Sequence, residues 1–230
     1  MPDVVILAVA PQLQSLMYSK QRTPRVERPL DGVSTIGHLL GSVGVPLTEV
    51  GELLVGGSPV DVSWLPRPGA VVEVTPRRRP QGGSRFALDV HLGTLARRMR
   101  LLGVDTVWRN DFSDDALIEL AARESRVILT RDRGLLLRRV VRHAAYVRGN
   151  DPEEQLADVL DRFALRLAPW SRCLACNGSL EAVEKQSVIE QLRPGTRRSY
   201  AVFARCTTCG RVYWRGAHAS RLEQIVDRFS

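Results

Sequence analysis

The sequence predicts an α/β parallel-sheet domain with a small α+β domain before it and a cysteine-pinned ribbon after it. Three observations in the 230 residues carry this prediction. Short apolar runs alternate with helix-period segments between residues 85 and 168. A strand, strand, helix, strand, strand order fills the first 76 residues. All four cysteines fall into two Cys-x-x-Cys pairs toward the far end. Two breaks divide these segments. Residues 77–84, Arg-Arg-Arg-Pro-Gln-Gly-Gly-Ser, lack apolar periodicity and read as a linker, and a second break falls at Ala168-Pro169. The expected domains are 1–76, 85–168 and 169–230, with 77–84 as linker.

In the first segment the continuous apolar run Val4–Val9 fits a buried strand, and a second extended piece lies near residues 26–30. Ser34 is placed to cap a helix through Ser42. Val50–Val55 reads as a strand closed by the turn Gly56-Gly57, and residues 71–74 form the last strand after Pro66-Arg67-Pro68-Gly69. That order is the order of a β-grasp domain. The ending Leu65-Pro66-Arg67-Pro68-Gly69-Ala70-Val71-Val72-Glu73-Val74, with Gly82-Gly83 a few residues on, resembles the ubiquitin-like sulfur-carrier family. Members of that family are activated at a free terminal glycine carboxylate, whereas Gly83 is followed by more chain, so the glycine pair reads as linker punctuation. The β-grasp domain is then a binding or positioning module, with a protein partner that the sequence does not identify.

The middle segment alternates regularly. Strands are expected at residues 86–90, 104–108, Val127–Thr130 and 144–147. Helices are expected at residues 92–102, from the cap Ser113 through Glu124, at 134–141, and at Pro152–Phe163 with proline in its first turn. Short connections between alternating elements imply a parallel sheet with helices on both faces.

Acids fall where such a sheet places functional groups, at the carboxyl ends of strands. Asp89 ends the first strand, Asp111, Asp114 and Asp115 follow the second, Asp132 follows the third and Asp151 the fourth. A hard cation such as Mg2+ or Mn2+ takes its ligands from a few carboxylates, with water and substrate phosphate completing the shell. Each acid also has a simpler reading. Asp114 and Asp115 suit the first turn of a helix electrostatically, Asp111 suits a turn and Asp151 a helix cap. Asp89 and Asp132 are the hardest to explain that way.

Cys173-x-x-Cys176 and Cys206-x-x-Cys209 are separated by 29 residues, a spacing that predicts a closed four-thiolate site for structural Zn2+. The net charge of +8 is unevenly spread: residues 169–230 carry 10 basic and 5 acidic side chains, which points to a polyanionic partner. Arg131, Arg133, Arg138, Arg139 and Arg142 cluster around Asp132 as candidate phosphate contacts, or as a solvated helix face. Around the cysteines, Arg193, Arg197, Arg198, Arg205, Arg211 and Arg215 are interleaved with Tyr200, Phe203, Tyr213 and Trp214. Arginine beside aromatics suits stacking on unpaired bases, and the same aromatics also suit packing within the ribbon. No apolar run approaches the length of a membrane span, and the start lacks a basic leader, so no membrane partner and a cytoplasmic location are expected.

Three stretches, Phe86-Ala87-Leu88-Asp89-Val90-His91-Leu92-Gly93-Thr94-Leu95-Ala96-Arg97, Arg100-Leu101-Leu102-Gly103-Val104-Asp105-Thr106 and Val127-Ile128-Leu129-Thr130-Arg131-Asp132, closely resemble the mutator-seven C-terminal family of PIN-like RNase domains. So does the ending Cys206-x-x-Cys209-Gly210-Arg211-Val212-Tyr213-Trp214-Arg215-Gly216-x-His218. The resemblance runs from about residue 85 to about 222 and implies an α/β PIN-like fold and a metal-dependent ribonuclease. It makes Asp89, an acid of the Asp114/Asp115 pair and Asp132 the expected Mg2+ or Mn2+ ligands. Arg133-Gly134-Leu135 offers no acid just beyond Asp132, which leaves Asp111 and Asp151 as candidates for an additional one. The expected partner is RNA in single-stranded regions, with tRNA and rRNA among the candidates. Arg97, Arg131, Arg133, Arg138, Arg198, Arg211, Trp214 and Arg215 are the expected contacts. The rivals are a non-catalytic RNA-binding or ribosome-associated adaptor and a sulfur-carrier-like protein.

Overall fold

The computed structural model describes residues 3–216 and 219–229, with only the backbone described for residues 219–221. His218 of the family-like ending lies outside the described residues. The first elements are β1 (Val4–Val9), α1 (Pro11–Gln14), β2 (Arg25–Pro29), α2 (Ile36–Ser42), β3 (Val50–Val55), β4 (Ser58–Val60) and β5 (Val71–Pro76). Next come β6 (Arg85–Leu88), α3 (Gly93–Leu101), β7 (Asp105–Trp108), α4 (Asp114–Arg123), β8 (Val127–Thr130), α5 (Arg133–Leu137), β9 (Ala144–Tyr146) and α6 (Pro152–Phe163). The last are β10 (Leu180–Val183), α7 (Pro194–Ser199), β11 (Phe203–Cys206), β12 (Val212–Tyr213) and α8 (Ala219–Phe229). The chain divides into two compact units, Met1–Gln81 with Leu129–Tyr146, and Gly82–Ile128 with Val147–Ser230.

The first unit holds a five-stranded sheet in the order β2-β1-β5-β3-β4, with β1 and β5 parallel and the other pairs antiparallel. Val5, Leu7 and Val9 are buried, the period-2 signature of a half-buried strand, and α2 seats Ile36, Leu39 and Leu40 in the same core. The cap of α2 is Thr35, whose hydroxyl accepts from the His38 N–H, and not Ser34. Ser34 instead donates its hydroxyl to Asp31, which also accepts from the Val33 and Ser34 N–H groups. Two elements beyond the expected order, α1 and β4, are too short to show periodicity. Gly56 and Gly57 both have positive φ (56° and 79°), as a tight hairpin turn demands, and Pro59 sits where β4 is an edge strand.

The segment 129–146 is fastened to this unit at both ends. The Arg133 guanidinium donates to the carbonyls of Leu16 (3.2 Å) and Met17 (3.0 Å), and the Tyr146 N–H donates to the buried Glu49 carboxylate (2.7 Å). The helix expected through residue 141 stops at Leu137, where Arg138 turns extended. The β-branched pair Val140-Val141 beyond it adds little helix propensity.

In the second unit β6 and β7 pair in parallel, Arg85 opposite Asp105 and Leu88 opposite Trp108. β7 forms the edge of this sheet, beside β6. Leu95, Ala96 and Met99 of α3 are buried, as are Leu156, Val159 and Phe163 of α6, and Phe86 meets Phe163 edge-on at 5.0 Å. Ser113 caps α4 and Asp151 caps α6, as their sequences predict. The last strands form a small antiparallel sheet, β10-β11-β12, over Val188, Leu192 and Phe203.

Gly103 ends α3 with φ +83°, and a Cβ there would run into the carbonyl oxygen of Ala168. This close approach lets the Ala168 and Trp170 N–H groups reach the carbonyls of Leu102 and Leu101. Gly103→Ala combines left-handed strain with a backbone clash and is expected to destabilise the second unit by roughly 2–4 kcal/mol, read by urea unfolding. An unchanged midpoint would show that residues 168–171 move away freely.

Candidate functional site

The four cysteine sulfurs all lie within 4.8 Å of one another. Cys173 Sγ is 3.7 Å from Cys209 Sγ, and Cys176 Sγ is 3.4 Å from Cys206 Sγ, with all four thiols free. Thiolates ~2.3 Å from a tetrahedral ion stand ~3.8 Å apart, so the donor set fits a closed, four-sulfur metal site. The turns that build it need backbone freedom at Asn177 and Gly210, each with φ 71°. Tyr213 places its hydroxyl 3.0 Å from Cys173 Sγ. Burial pushes the Cys173 thiol up, but the Tyr213 hydroxyl and the N–H groups of Cys176 and Ala175 outweigh it and bring it down to about 6. Burial pushes the neighbouring Cys176 thiol up to about 12, so the sulfurs give up their protons together only to a cation.

The first cysteine turn is bound to the parallel sheet. Arg100, only 2% exposed on α3, donates to the carbonyls of Leu174 (3.0 Å) and Ala175 (2.9 Å) inside that turn. The same guanidinium donates to Thr106 O (2.8 Å) and Trp108 O (3.4 Å) on β7. Asn177 completes the junction: its Oδ1 accepts from the Thr106 N–H (2.9 Å) and its Nδ2 donates to Asp105 (2.8 Å). β7 is an edge strand, and these side chains satisfy backbone groups that an open edge would leave unpaired. Asp105 also takes a 2.6 Å bond from Arg126. Burial pushes the Asp105 carboxyl up, but the Arg126 and Asn177 bonds hold it below its ordinary range.

Among the predicted acids Asp89 stands apart in being buried, at 8% exposure. It ends β6 and starts a single 3-10 turn, Val90–Leu92. That turn is pinned by Trp108, whose indole N–H donates to Val90 O at 3.1 Å. The ring lies so close to Gly93 that a Cβ there would come within 2.6 Å of it. Asp114 and Asp115 are exposed in the first turn of α4. Asp111 is held by a two-pronged bond from Arg109 (2.9 and 2.8 Å), which lowers its carboxyl. Asp151 accepts from the Glu153 and Glu154 N–H groups and is lowered by them. Asp132, in the first unit, is exposed and caps α5 by accepting from the Gly134 N–H (2.7 Å). Among the described residues of the second unit, the cysteines are the one group of three or more potential ligands close enough to share an ion.

The arginines differ in exposure. Arg97, Arg131, Arg138, Arg198, Arg211 and Arg215 are exposed, as is Trp214, and Arg215 stacks over the Trp170 ring at 5.4 Å. Arg133, expected on RNA, is half-buried, and its Nη1 donates to the Leu16 and Met17 carbonyls. Phe203 belongs to the ribbon's core and Tyr213 to the cysteine cluster. Arg100, Trp108 and Tyr213 are the residues whose roles the sequence did not suggest. A charge beside Met99 and Ala96 on an inward helix stripe was the available signal for Arg100.

A ubiquitin-like sheet, a parallel-sheet domain and a zinc-ribbon-like cysteine cluster define a modular α/β protein. The chain belongs to the Mut7-C RNAse domain family, whose model matches residues 84–226, and the Mut7-C ubiquitin model matches residues 2–82. This meets the resemblance seen in the motifs. The comparisons with curated proteins and with solved structures each gave no match. No helix among the described residues is long and apolar enough to cross a membrane.

Proposed function

We propose that the protein is a metal-dependent ribonuclease that hydrolyses RNA phosphodiester bonds in cytoplasmic RNA processing or decay. The observation that carries this is Asp89: in an RNase-type family domain, a carboxylate at the end of a strand is buried behind a turn pinned by Trp108. Following the family resemblance, Asp89, one of Asp114 and Asp115, and Asp132 would hold Mg2+ or Mn2+, hard ions that take carboxylate oxygens. Such an ion, when bound, activates water and stabilises the leaving oxygen of an in-line displacement. The chain's own residues orient the strand: Arg97, Arg131 and Arg138 offer phosphate contacts, and Arg198, Arg211, Trp214 and Arg215 offer charge with a stacking surface. The cysteine cluster would hold Zn2+ as a structural ion, because four protein ligands leave no open position.

Purified, zinc-loaded protein is expected to cut a mixed pool of cellular RNA with Mn2+ or Mg2+. Asp89→Asn and Asp132→Asn, still folded and zinc-loaded, are each expected to lose at least ~100-fold in rate. Binding without cleavage under every metal condition would replace this reading with an RNA-binding adaptor. The sulfur-carrier alternative gains no support from Gly83. A Cβ at that position would meet Val127 at 2.8 Å, so the glycine belongs to the second unit's packing.

A further inference from the structure

The ubiquitin-like domain has no task in the reading above, yet the Asp132 loop is built onto it. Asp132 and Arg133 are adjacent: the acid caps the short helix α5 and the arginine is its first residue. Arg133 reaches the carbonyls of Leu16 and Met17 at 3.2 and 3.0 Å. These carbonyls lie just beyond α1, at the end of a helical turn where carbonyls lack partners within the turn. Leu16 and Met17 are themselves fully buried in the β-grasp core, so the acceptors cannot drift. At the far end of the same segment the Tyr146 N–H is held by Glu49, itself 3% exposed, and Tyr146 packs against that core. Both anchors and the loop lie in one compact unit.

We infer that Arg133 is a positioning residue: it ties the Asp132 loop to the ubiquitin-like domain, which thereby serves as the rigid support of a metal-binding acid. The inference rests on the proposed metal-dependent reading for Asp132, and it gives the β-grasp domain a role within the chain. A five-residue helix with a glycine in its first turn has little rigidity of its own, since short helices are marginal without tertiary support; the buried Leu135 and Leu136 seat its middle, and Arg133 fixes the end that carries Asp132. One guanidinium nitrogen, Nη1, serves both successive carbonyls, and the planar, weakly hydrated group that carries it is held with less loss of freedom than a flexible ammonium. Loss of a group that orients a metal ligand costs about 10–100-fold in metal affinity.

The test uses the full, zinc-loaded chain and its Arg133→Ala and Arg133→Lys variants. Mn2+ binding is titrated by electron paramagnetic resonance, RNA binding is measured without divalent metal, and amide hydrogen exchange is followed across residues 130–137. Arg133→Ala is expected to weaken Mn2+ binding about 10–100-fold and to speed exchange at residues 134–137. RNA affinity and its salt dependence should stay as in the parent, with Arg133→Lys intermediate in Mn2+ binding. Unchanged Mn2+ affinity in either folded variant overturns the inference. So does weaker RNA binding with a salt slope reduced by about one, because Arg133 would then be a phosphate contact. Should Arg133→Ala fail to fold, Arg133→Lys decides by the same criterion. A parent that binds Mn2+ but cuts no RNA defeats the nuclease reading alone, and the variants' Mn2+ affinities still decide the role of Arg133. A parent that binds no Mn2+ overturns both.

Discussion

Cys206→Ser, or exhaustive chelation of the intact chain, is expected to lower the melting temperature of the second unit by about 10 °C or more. The reason lies in what the cysteine turn holds. Without a cation, four sulfurs packed within 4.8 Å of one another lose the partner that makes their close approach favourable. The turn carrying Cys173 and Cys176 then relaxes, and with it go the Leu174 and Ala175 carbonyls that receive Arg100 and the Asn177 side chain that caps Thr106 and Asp105. Backbone groups of edge strand β7 and the buried Arg100 would lose partners together. Structural zinc sites contribute roughly 10–16 kcal/mol of apparent binding energy at neutral pH, most of it expressed as folding. Calorimetry with parallel zinc determination, and hydrogen exchange at Thr106, measures the effect. If the metal-free chain melts unchanged while only residues 173–213 exchange faster, the ribbon is an appendage and the junction carries little energy.

What the sequence disclosed and what it withheld follow one physical divide. Interactions that impose a period or a residue type were legible. A continuous apolar run marked the strand that buries Val5, Leu7 and Val9, helical spacing marked Leu95, Ala96 and Met99, and paired spacing marked the cysteine cluster. The caps Ser113 and Asp151 were legible for the same reason, while Ser34 lost its place to Thr35 one residue on because Asp31 engages its hydroxyl. Bonds to backbone carbonyls leave no such trace. Any residue supplies a carbonyl, so nothing in Leu16-Met17 or Leu174-Ala175 announces that an arginine 116 or 74 residues away will reach it. Arg133 therefore read as a phosphate contact and Arg100 went unnoticed. The acids fall between these cases. Their places after strands were readable, as was their suitability for helix first turns, but spacing along the chain does not fix how far apart carboxylates stand.

Arg100 offers the sharpest test of whether the parallel sheet and the cysteine turn behave as one body. Arg100→Met keeps length and apolar bulk within the α3 stripe but removes every donor, leaving Thr106, Trp108, Leu174 and Ala175 carbonyls to find other partners. Each abandoned buried acceptor costs about 1–3 kcal/mol, and removing the donor side of a buried charged network typically costs about 3–5 kcal/mol in all. Burial already pulls the Arg100 guanidinium below its ordinary value while the nearby cysteine sulfurs push it up, so its charge is best tolerated when the knuckle is in place. Arg100→Lys retains the charge but not the fork, and one ammonium cannot span carbonyls on two elements, so it should fall between parent and Arg100→Met. Two readouts are needed, urea unfolding and the rate at which a chromophoric chelator withdraws zinc. Coupled loss in both is expected, because the carbonyls that Arg100 releases flank the sulfur ligands Cys173 and Cys176. Faster zinc withdrawal with unchanged unfolding would confine Arg100 to the cysteine turn. A stability loss with unchanged zinc withdrawal would mean that it serves β7 alone and that the two bodies only touch.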